Sequence, residues 1–267
     1  MLLLGATAGD TTSIGKALPD RAIRLRVLSY NIQIGVQTAG YGDYLTRAWR
    51  HALPGSGMPA HLDRLAEVVR HFDFVAIQEA DAGSLRTGFV NQIEYLAGAA
   101  GFASWGLSVT RDLRPIACHA LGFLSRYRPT RVVEHVLPSS LPGRRVVGID
   151  LGADAGHLHV LVAHLSLGAR ARRRQLDFVD ALVPVAGPVL LLGDLNCGAA
   201  ALRARRGSRL LVSAHPPATF PSWQPRLALD HILHSAEVRL HRLQALPLPI
   251  SDHLPLAADI EVPARLP

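Results

Sequence analysis

The chain has 267 residues, a formal net charge of +7 and a composition that is 49% hydrophobic and 18% charged. A chain of this size can bury a large core as one layered α/β domain, and its positive charge favours a phosphorylated or otherwise anionic partner. Two cysteines exclude a disulfide framework or a zinc cluster, and no segment approaches the roughly 18 consecutive apolar residues of a membrane span.

The first 23 residues precede the first strand-like segment, and we expect them to form a flexible N-terminal extension. Their leucine triplet has no basic residues before it and is too short for a signal peptide, so we expect a cytoplasmic protein. Residues 24–264 contain no Ser/Gly linker, low-complexity tract or internal repeat. We therefore expect them to form a single domain.

Strand-like apolar runs recur along the chain, and polar residues stand at or next to their ends, where packing alone would not place them. The runs cover residues 24–30, 73–78, 159–163, 188–193, 228–233 and 254–262. The polar residues are Asn31, Glu79, His164, Asp194, Asp230 and the pair Asp252-His253. Buried strands with polar groups at one end are typical of a sheet that presents a site along its rim.

Amphipathic helices are predicted between several of these strands. Apolar residues spaced by three and four predict a helix over residues 61–72, and the same argument predicts helices over 89–100 and shortly after His164. Strands and helices alternate too irregularly for a doubly wound sheet. The sequence therefore predicts an α/β (α+β) fold in which two packed mixed β-sheets are flanked by helices.

The segment Asp194-Leu195-Asn196 has a pattern suited to activating water. Side chains alternate along an extended segment, so Asp194 and Asn196 are expected to face the same side. One of them can then take a proton from water while the other hydrogen-bonds that water or a phosphate. Either residue alone has a simpler explanation, because an Asp or Asn after a strand is usually a turn residue or a helix cap.

Asp252 and His253 place a carboxylate beside an imidazole, and an irregular turn before Leu254 would allow both to reach one site. A carboxylate at Asp230 would orient His253 and favour its protonated form, since a nearby negative charge raises the pKa of a histidine. A protonated imidazole can hold a phosphate oxygen or donate a proton. His231 alternates to the other face of its strand, and we expect it to pack there.

Six short segments, taken together and in order, are characteristic of one family. They are SYNIQIG, AIQEAD, VAHLSLG, LLLGDLN, LALDHIL and SDHLPL, and the similarity extends over residues 24–262. In order and spacing they resemble the endonuclease/exonuclease/phosphatase superfamily, and the His-Leu form of the third segment resembles its sphingomyelinase-like and general phosphodiesterase branch. The resemblance implies a four-layer αββα sandwich, Mg²⁺ or Mn²⁺ at the sheet rim, and hydrolysis of a phosphoester.

The same resemblance implies a set of metal ligands. Glu79 would be the principal ligand, with Asn31 and Asp252 beside it, and carboxylate and amide oxygens suit Mg²⁺ or Mn²⁺. One position departs from the family pattern, because Leu121 in the segment CHALGFLSR stands where an asparagine is common. A supporting polar contact at that position is therefore in doubt.

The resemblance also implies the catalytic roles. Asp194 would activate the attacking water, and Asn196 would position that water or the phosphate. His253, paired with Asp230, would stabilise the pentavalent transition state, and His164 would contact a phosphoryl oxygen.

The motif variants favour a phospholipid head group or a small diester as the substrate. Abasic-site nucleases usually have QETK at the second motif and a tyrosine at the middle one, whereas this chain has QEAD and HLSLG. We expect a monomer, and a lipid substrate would imply peripheral contact with a membrane. One alternative is a nucleic-acid endonuclease or exonuclease, although the arginine-rich composition that suits it is explained equally well by a biased genome. The other alternative is a non-catalytic binding module. The chain has an acidic residue or a histidine at each position where the family's chemistry needs one, which disfavours this alternative.

Three segments contain candidate substrate contacts. Residues 36–60 form a long insertion in which Trp49 and Arg50 are candidates, and the alternative is a loop or helix that covers the sheet edge. Arg172 belongs to a cluster of arginines at the start of the predicted third helix, where it would gather phosphate charge. Trp223, shortly before Asp230, would line the cleft or simply pack.

Overall fold

The computed structural model describes residues 1–5, 22–33, 58–139, 143–152 and 158–263. The strands in these ranges are β1 (Leu2–Gly5), β2 (Ile23–Asn31), β3 (Phe74–Asp81), β4 (Ser104–Leu113), β5 (Ala117–Ser125), β6 (Pro129–Val136), β7 (Arg145–Leu151), β8 (Leu158–His164), β9 (Val189–Asp194), β10 (Asp230–His234), β11 (Arg239–Ala245) and β12 (Leu256–Val262). The helices are α1 (Met58–Val69), α2 (Gln92–Ala100), α3 (Ala169–Leu182) and α4 (Ala199–Arg203), and a 3₁₀ turn covers Leu85–Thr87.

The strands form two mixed sheets. The larger sheet has seven strands in the order β1-β4-β5-β3-β2-β12-β11, and the smaller has five in the order β10-β9-β8-β7-β6. One neighbouring pair in each sheet is parallel, β2 with β3 and β8 with β9, and the other pairs are antiparallel. Parallel strands end at the same edge of a sheet, so each parallel pair brings two strand ends together.

Three apolar clusters identify the layers of the domain. The first lies between α1, α2 and the outer face of the seven-stranded sheet, and Leu65 and Leu96 belong to it. The second lies between the two sheets and includes Val27 and Val160. The third joins α3 to the outer face of the five-stranded sheet through residues such as Val179. Helices, sheet, sheet and helix therefore form four layers, which confirms the predicted αββα sandwich.

The predicted helices are present, but three of their boundaries are wrong. The helix predicted over 61–72 covers Met58–Val69, and the one predicted over 89–100 begins at Gln92. Asn91 explains the later start, because its side chain accepts hydrogen bonds from the backbone N–H groups of Ile93 and Glu94 and so caps the helix.

The start of the chain takes part in the seven-stranded sheet. Leu2–Gly5 pair antiparallel with β4, so the prediction of a flexible extension is wrong for these four residues. The prediction missed them because a short edge strand gains its stability from the neighbouring strand and not from its own sequence pattern. Residues 6–21 lie outside the described ranges. Within those ranges, no helix combines the length and the apolar character needed to cross a bilayer.

Candidate active site

The register of the five-stranded sheet places three of the predicted polar residues side by side. His164 at the end of β8 is paired with Asp194 at the end of β9, and Asp194 is paired with Asp230 at the start of β10. Val162 and Leu192 stand two residues earlier on their strands and face the other sheet. Because strand side chains alternate, His164, Asp194 and Asp230 face the same way, at the rim of the space between the sheets.

The seven-stranded sheet contributes Asn31 and Glu79 to the same rim. Asn31 is the last residue of β2, and its side chain lies on the same face as Val27, which faces the other sheet. Glu79 lies where the pairing of β3 with β5 shifts between Ile77 and Ala80, and its φ of 56° is in the left-handed region. A bulge of this kind re-aims a side chain, and a left-handed non-glycine residue is often found at a functional site.

Asp252 and His253 reach the site on a bent segment before β12, as the sequence predicted. Ser251 holds this bend, because its Oγ donates to the carbonyl of Asn31 at 2.7 Å and to Oδ1 of Asp252 at 3.3 Å. The backbone N–H of His253 donates to the same Oγ at 3.3 Å. The bend therefore fixes the Asp252-His253 pair directly to the end of β2.

His253 and Asp230 form a buried pair. Nδ1 of His253 lies 2.7 Å from Oδ2 of Asp230, and the hydroxyl of Thr219 donates to that same oxygen at 2.5 Å. The ring of Phe220 packs against the imidazole with a centroid separation of 4.9 Å. Burial opposes protonation of His253, but the charge and hydrogen bond of Asp230 outweigh it and raise the pKa of His253 to about 10. The imidazole is therefore a cation at neutral pH.

Asp194 is the centre of the arrangement. Its Oδ2 accepts a hydrogen bond from Nδ2 of Asn31 at 3.2 Å and lies 3.5 Å from Nε2 of His164. The same oxygen is 3.8 Å from Nε2 of His253, and Oδ1 accepts from the backbone N–H of Asn196 at 2.9 Å. Burial and the charge of Asp230 raise the pKa of the Asp194 carboxyl to about 7. Such a group can accept a proton near neutral pH.

Asn196 is adjacent to Asp194, but not for the reason the sequence suggested. β9 ends at Asp194, and Asn196 has a φ of 52°, so the segment is not extended and side-chain alternation does not apply. Nδ2 of Asn196 donates to the carbonyl of Leu165 at 2.9 Å. Gly193 allows the close packing of this turn, because a Cβ there would lie 1.9 Å from the carbonyl oxygen of Ala163. The prediction of an extended segment is therefore wrong.

His164 faces two carboxylates and remains neutral. Its Nε2 lies 3.8 Å from Oε1 of Glu79. Burial, followed by the positive charges of Arg144 and His253, lowers the pKa of His164 well below its usual value. With this contact, the structure brings all eight predicted metal and catalytic residues into one connected cluster.

Four further residues at the site were not predicted from the sequence. Thr219 and Phe220 support Asp230 and His253, as described above. Burial lowers the pKa of Arg144, while the negative charges of Glu79 and Asp194 oppose that shift, so the guanidinium lies within electrostatic range of both carboxylates. Burial and the neighbouring Arg86 lower the pKa of His119 to about 4, and Arg144 contributes in the same direction.

The oxygen-rich donor set fits a divalent cation. Burial raises the pKa of Asp252, and the charge of Glu79 raises it further. Oδ1 of Asp230 is buried and has no hydrogen-bond partner among the described residues. Crowded buried carboxylates of this kind are stabilised by a cation that offsets their repulsion.

Two groupings could provide the ligands. One is the predicted set of Asn31, Glu79 and Asp252. The other is Asp194, Asp230 and His253, whose ligand atoms lie within 4.8 Å of one another. In the second grouping, Asp230 holds His253 as an imidazolium, and a protonated ring has no lone pair to offer a metal ion. We therefore favour the first set, whose carboxylate and amide oxygens are the ligands that hard cations prefer.

The candidate substrate contacts have different surroundings. Trp49 and Arg50 lie outside the described residues. Nη1 of Arg172 donates to the carbonyls of Ser166 and Leu167, so this side chain holds the loop after His164. Trp223 is half-buried, whereas Phe220 of the same segment makes the contact with His253.

Two other sequence expectations concern residues near the site. His231 hydrogen-bonds the carbonyl of Cys197 through Nε2 at 2.8 Å, which confirms that it packs on the outer face. Leu121 is buried in the apolar cluster between the sheets. The position where the family commonly has asparagine therefore provides packing in this chain.

Comparisons with known proteins agree with this geometry. A model of the Endonuclease/Exonuclease/phosphatase family matches residues 28–253 of the chain. A search of curated protein sequences found no match. A solved endonuclease/exonuclease/phosphatase structure from Beutenbergia cavernae is 19% identical with a TM-score of 0.69, and the match covers 90% of this chain and 72% of that one.

Two further solved structures are of named proteins. A mannosyl-6-phosphatase from Bacteroides thetaiotaomicron is 17% identical with a TM-score of 0.60, over 88% of this chain and 99% of that one. A humanized D. rerio TDP2 is 16% identical with a TM-score of 0.58, over 89% of this chain and 98% of that one. At these identities, the similarity shows a shared fold.

Proposed function

The chain belongs to the Endonuclease/Exonuclease/phosphatase family, and we propose that it is a divalent-metal-dependent phosphodiesterase. The observation that carries the proposal is the line of groups Asp230, His253 and Asp194. Their successive distances are 2.7 Å from Asp230 to His253 Nδ1 and 3.8 Å from His253 Nε2 to Asp194. A proton acceptor and an imidazolium therefore lie side by side at the rim between the sheets, where both could act on a phosphoryl group.

The two groups have complementary protonation states. Asp194, with a pKa of about 7, takes the proton of the attacking water. His253, with a pKa of about 10, remains protonated and stabilises the negative charge that develops on the phosphoryl oxygens. Asp230 fixes the orientation of the imidazole, and Thr219 fixes Asp230. Asn196 positions the water or the phosphate.

A divalent cation fits this proposal because it would offset the repulsion among the crowded carboxylates at the site, where Oδ1 of Asp230 has no partner among the described residues. Asn31, Glu79 and Asp252 would hold Mg²⁺ or Mn²⁺, which supplies Lewis-acid polarisation of the phosphoryl oxygens. His164 remains neutral and donates a hydrogen bond to a phosphoryl oxygen. Arg144 adds a positive charge within electrostatic range of Glu79 and Asp194.

We propose further that the substrate is a phosphodiester with a compact or lipid-like alcohol. QEAD at the second motif and HLSLG at the middle motif differ from the abasic-nuclease forms and resemble the sphingomyelinase-like and general phosphodiesterase branch. The insertion at 36–60 combines aromatic and arginine side chains, a combination suited to a surface where apolar chains meet anionic head groups.

A substrate panel tests this proposal. Abasic-site duplex, plasmid DNA, RNA, a chromogenic diester and anionic phospholipid vesicles are compared in Mg²⁺, each at low and near-physiological salt. We expect cleavage of the chromogenic diester and the lipid. Alanine variants of Tyr44, Trp49 and Arg50 should impair lipid turnover more than turnover of the small diester. Equal losses on both substrates would mean that the insertion is scaffold.

The net charge of +7 supports a second candidate, a nucleic-acid phosphodiesterase. Contacts to a phosphate backbone release counterions, so nuclease activity should fall steeply as salt increases. Strongly salt-sensitive incision of the abasic duplex, with no activity on lipid or chromogenic diester, would establish this candidate in place of the first.

A further inference from the structure

Exposed apolar side chains gather on two adjacent tips of the seven-stranded sheet. One tip is the 3₁₀ segment after β3, and the other is the turn between β4 and β5. We call the two segments together the apolar tip. Its large exposed side chains, with their exposed fractions, are Leu85 (42%), Phe89 (66%), Leu113 (45%) and Ile116 (54%). Exposed apolar groups that cluster in this way usually mark an interaction surface.

The apolar tip is rigidly built. The backbone N–H of Leu85 donates to the carbonyl of Pro115 at 2.7 Å, which joins the two segments. Beneath them lies Asp81, whose fully buried carboxylate forms an ion pair with Arg86 at 2.6 Å. The same carboxylate accepts hydrogen bonds from Ser84, Thr87 and the backbone N–H groups of Gly83 and Cys118. Loops with this number of buried polar bonds are ordered before any partner binds.

Phe89 is held in a conformation that an aromatic residue rarely adopts. Its φ is 63°, in the left-handed region, although its ring is two-thirds exposed. Its backbone N–H donates to the carbonyl of Ser84 at 2.7 Å, which fixes this conformation. A strained, exposed aromatic residue has no role in folding that we can identify, and strain of this kind is commonly found at functional positions.

The apolar tip begins where the candidate active site ends. β3 passes from Glu79 to Asp81 in two residues, and Asp81 is paired with His119, three residues from Ile116. Across β4, Arg111 is paired with His119. Gly143, directly before Arg144, packs closely against β4, because a Cβ at this position would lie 2.5 Å from the carbonyl oxygen of Thr110.

Three surfaces therefore follow one another along the rim. The catalytic carboxylates come first, and the arginines around His119, which include Arg111 and Arg144, come second. The apolar tip comes last and carries the exposed Arg114, which is hydrogen-bonded to Asp112. An amphiphile at a bilayer surface presents its groups in the same order. Its phosphodiester lies next to anionic head groups, and its apolar chains lie beyond them.

We propose that the apolar tip docks on an anionic phospholipid bilayer, with Phe89 and Ile116 inserted among the head groups and Arg111 against lipid phosphates. This proposal rests on the proposed function, because the apolar tip would bring the active site to a lipid diester in the bilayer. The apolar side chains provide the buried area, and the arginines select anionic lipids.

The test is co-sedimentation with vesicles, which does not depend on catalysis. The chain is mixed with phosphatidylcholine vesicles with or without phosphatidylglycerol, in chelator so that no lipid is hydrolysed. The variant Phe89→Asn/Ile116→Ser removes apolar surface, and asparagine tolerates the left-handed conformation at position 89. Val185→Ser/Leu211→Ser is the matched control, since these side chains are 93% and 47% exposed and lie near the opposite ends of the strands.

We expect the wild-type chain and the control to bind phosphatidylglycerol vesicles, and the Phe89/Ile116 variant to bind at least about tenfold more weakly. Equal binding by all three, or no binding by the wild-type chain, would overturn the proposal. Binding of duplex DNA in place of vesicles, weakened by the same variant, would also overturn it in favour of a nucleic-acid surface.

Hydrolysis of a soluble chromogenic diester in Mg²⁺ separates this proposal from the proposed function. Loss of vesicle binding with unchanged soluble hydrolysis supports the docking surface. Absence of soluble hydrolysis in the wild-type chain contradicts the proposed function, whatever the vesicles show. Thermal unfolding of each variant checks that the fold is retained.

Discussion

Oδ2 of Asp230 lies 2.7 Å from Nδ1 of His253, inside a buried pocket that Thr219 and Phe220 close. The contact fixes the direction of the imidazole, so that Nε2 faces the reacting groups. It also sets the charge of the imidazole, because the carboxylate favours the protonated form. Orientation and charge are separate consequences, and substitutions can distinguish them.

The variant Asp230→Asn should move the alkaline limb of the pH–rate profile. Activity requires protonated His253 and is lost as pH rises through its pKa, which Asp230 raises to about 10. Without that negative charge the pKa falls, so the limb should shift by about one pH unit or more toward neutral pH. His253→Ala should reduce the rate by about 10²–10⁴-fold at every pH. An unshifted alkaline limb in Asp230→Asn would mean that the carboxylate does not set the charge.

Arg144→Gln should weaken catalysis more than an arginine substitution on the surface. The Arg144 guanidinium interacts electrostatically with Glu79 and Asp194, beside which the phosphoryl charge would be held. Loss of a charged donor at such a place typically costs about 10²–10³-fold in rate. The control is Arg173→Gln, since Arg173 is exposed on α3. Steady-state rates on a chromogenic diester measure the effect. Wild-type rates in both variants would contradict the assignment.

Glu79→Gln should raise the metal concentration needed for half-maximal activity. The substitution keeps the size of the side chain and removes the charge that attracts a divalent cation. Titration with Mg²⁺ at fixed substrate measures the effect. The matched control is Glu94→Gln, which removes an acid from an exposed position on helix α2. The same Mg²⁺ dependence in the wild-type chain and in Glu79→Gln would exclude Glu79 as a ligand.

Arg86→Met should destabilise the fold by about 3–5 kcal/mol, because it leaves the buried Asp81 carboxylate without its ion-pair partner. The matched control is Arg70→Met, which breaks the exposed pair with Glu67 and should cost less than about 1 kcal/mol. Urea unfolding measures both free energies. Equal stabilities of the two variants would show that Asp81 does not depend on Arg86 for its burial.

The sequence revealed the strand-end residues because each one interrupts an apolar run. Asp194 directly follows five buried residues of β9, where a charge has no packing role, and Glu79 follows the buried β3 segment in the same way. Arg144 gave no such signal, since it stands beside Arg145 ahead of a strand and only the fold brings it to Glu79. Thr219 was missed because its contact with Asp230 depends on the path of a loop.

Two of the strands that the sequence did not predict, β6 and β11, have a similar explanation. β6 and β11 are largely half-buried or exposed, so neither contains a continuous apolar run. Their pairing depends on neighbouring strands that are distant in sequence. The layer architecture could still be predicted, because β2, β8 and β9 carry the buried runs that form the core between the sheets.

Asp194 and a divalent cation should together hydrolyse a phosphodiester, and their joint requirement can be measured in a single comparison. The rate on a chromogenic diester is measured for the wild-type chain and for Asp194→Asn, in Mg²⁺ and in excess chelator. We predict that chelator abolishes wild-type activity, that Mg²⁺ restores it, and that Asp194→Asn loses about 10²–10⁴-fold while remaining folded. Full activity in chelator, or wild-type turnover by Asp194→Asn, would contradict the account.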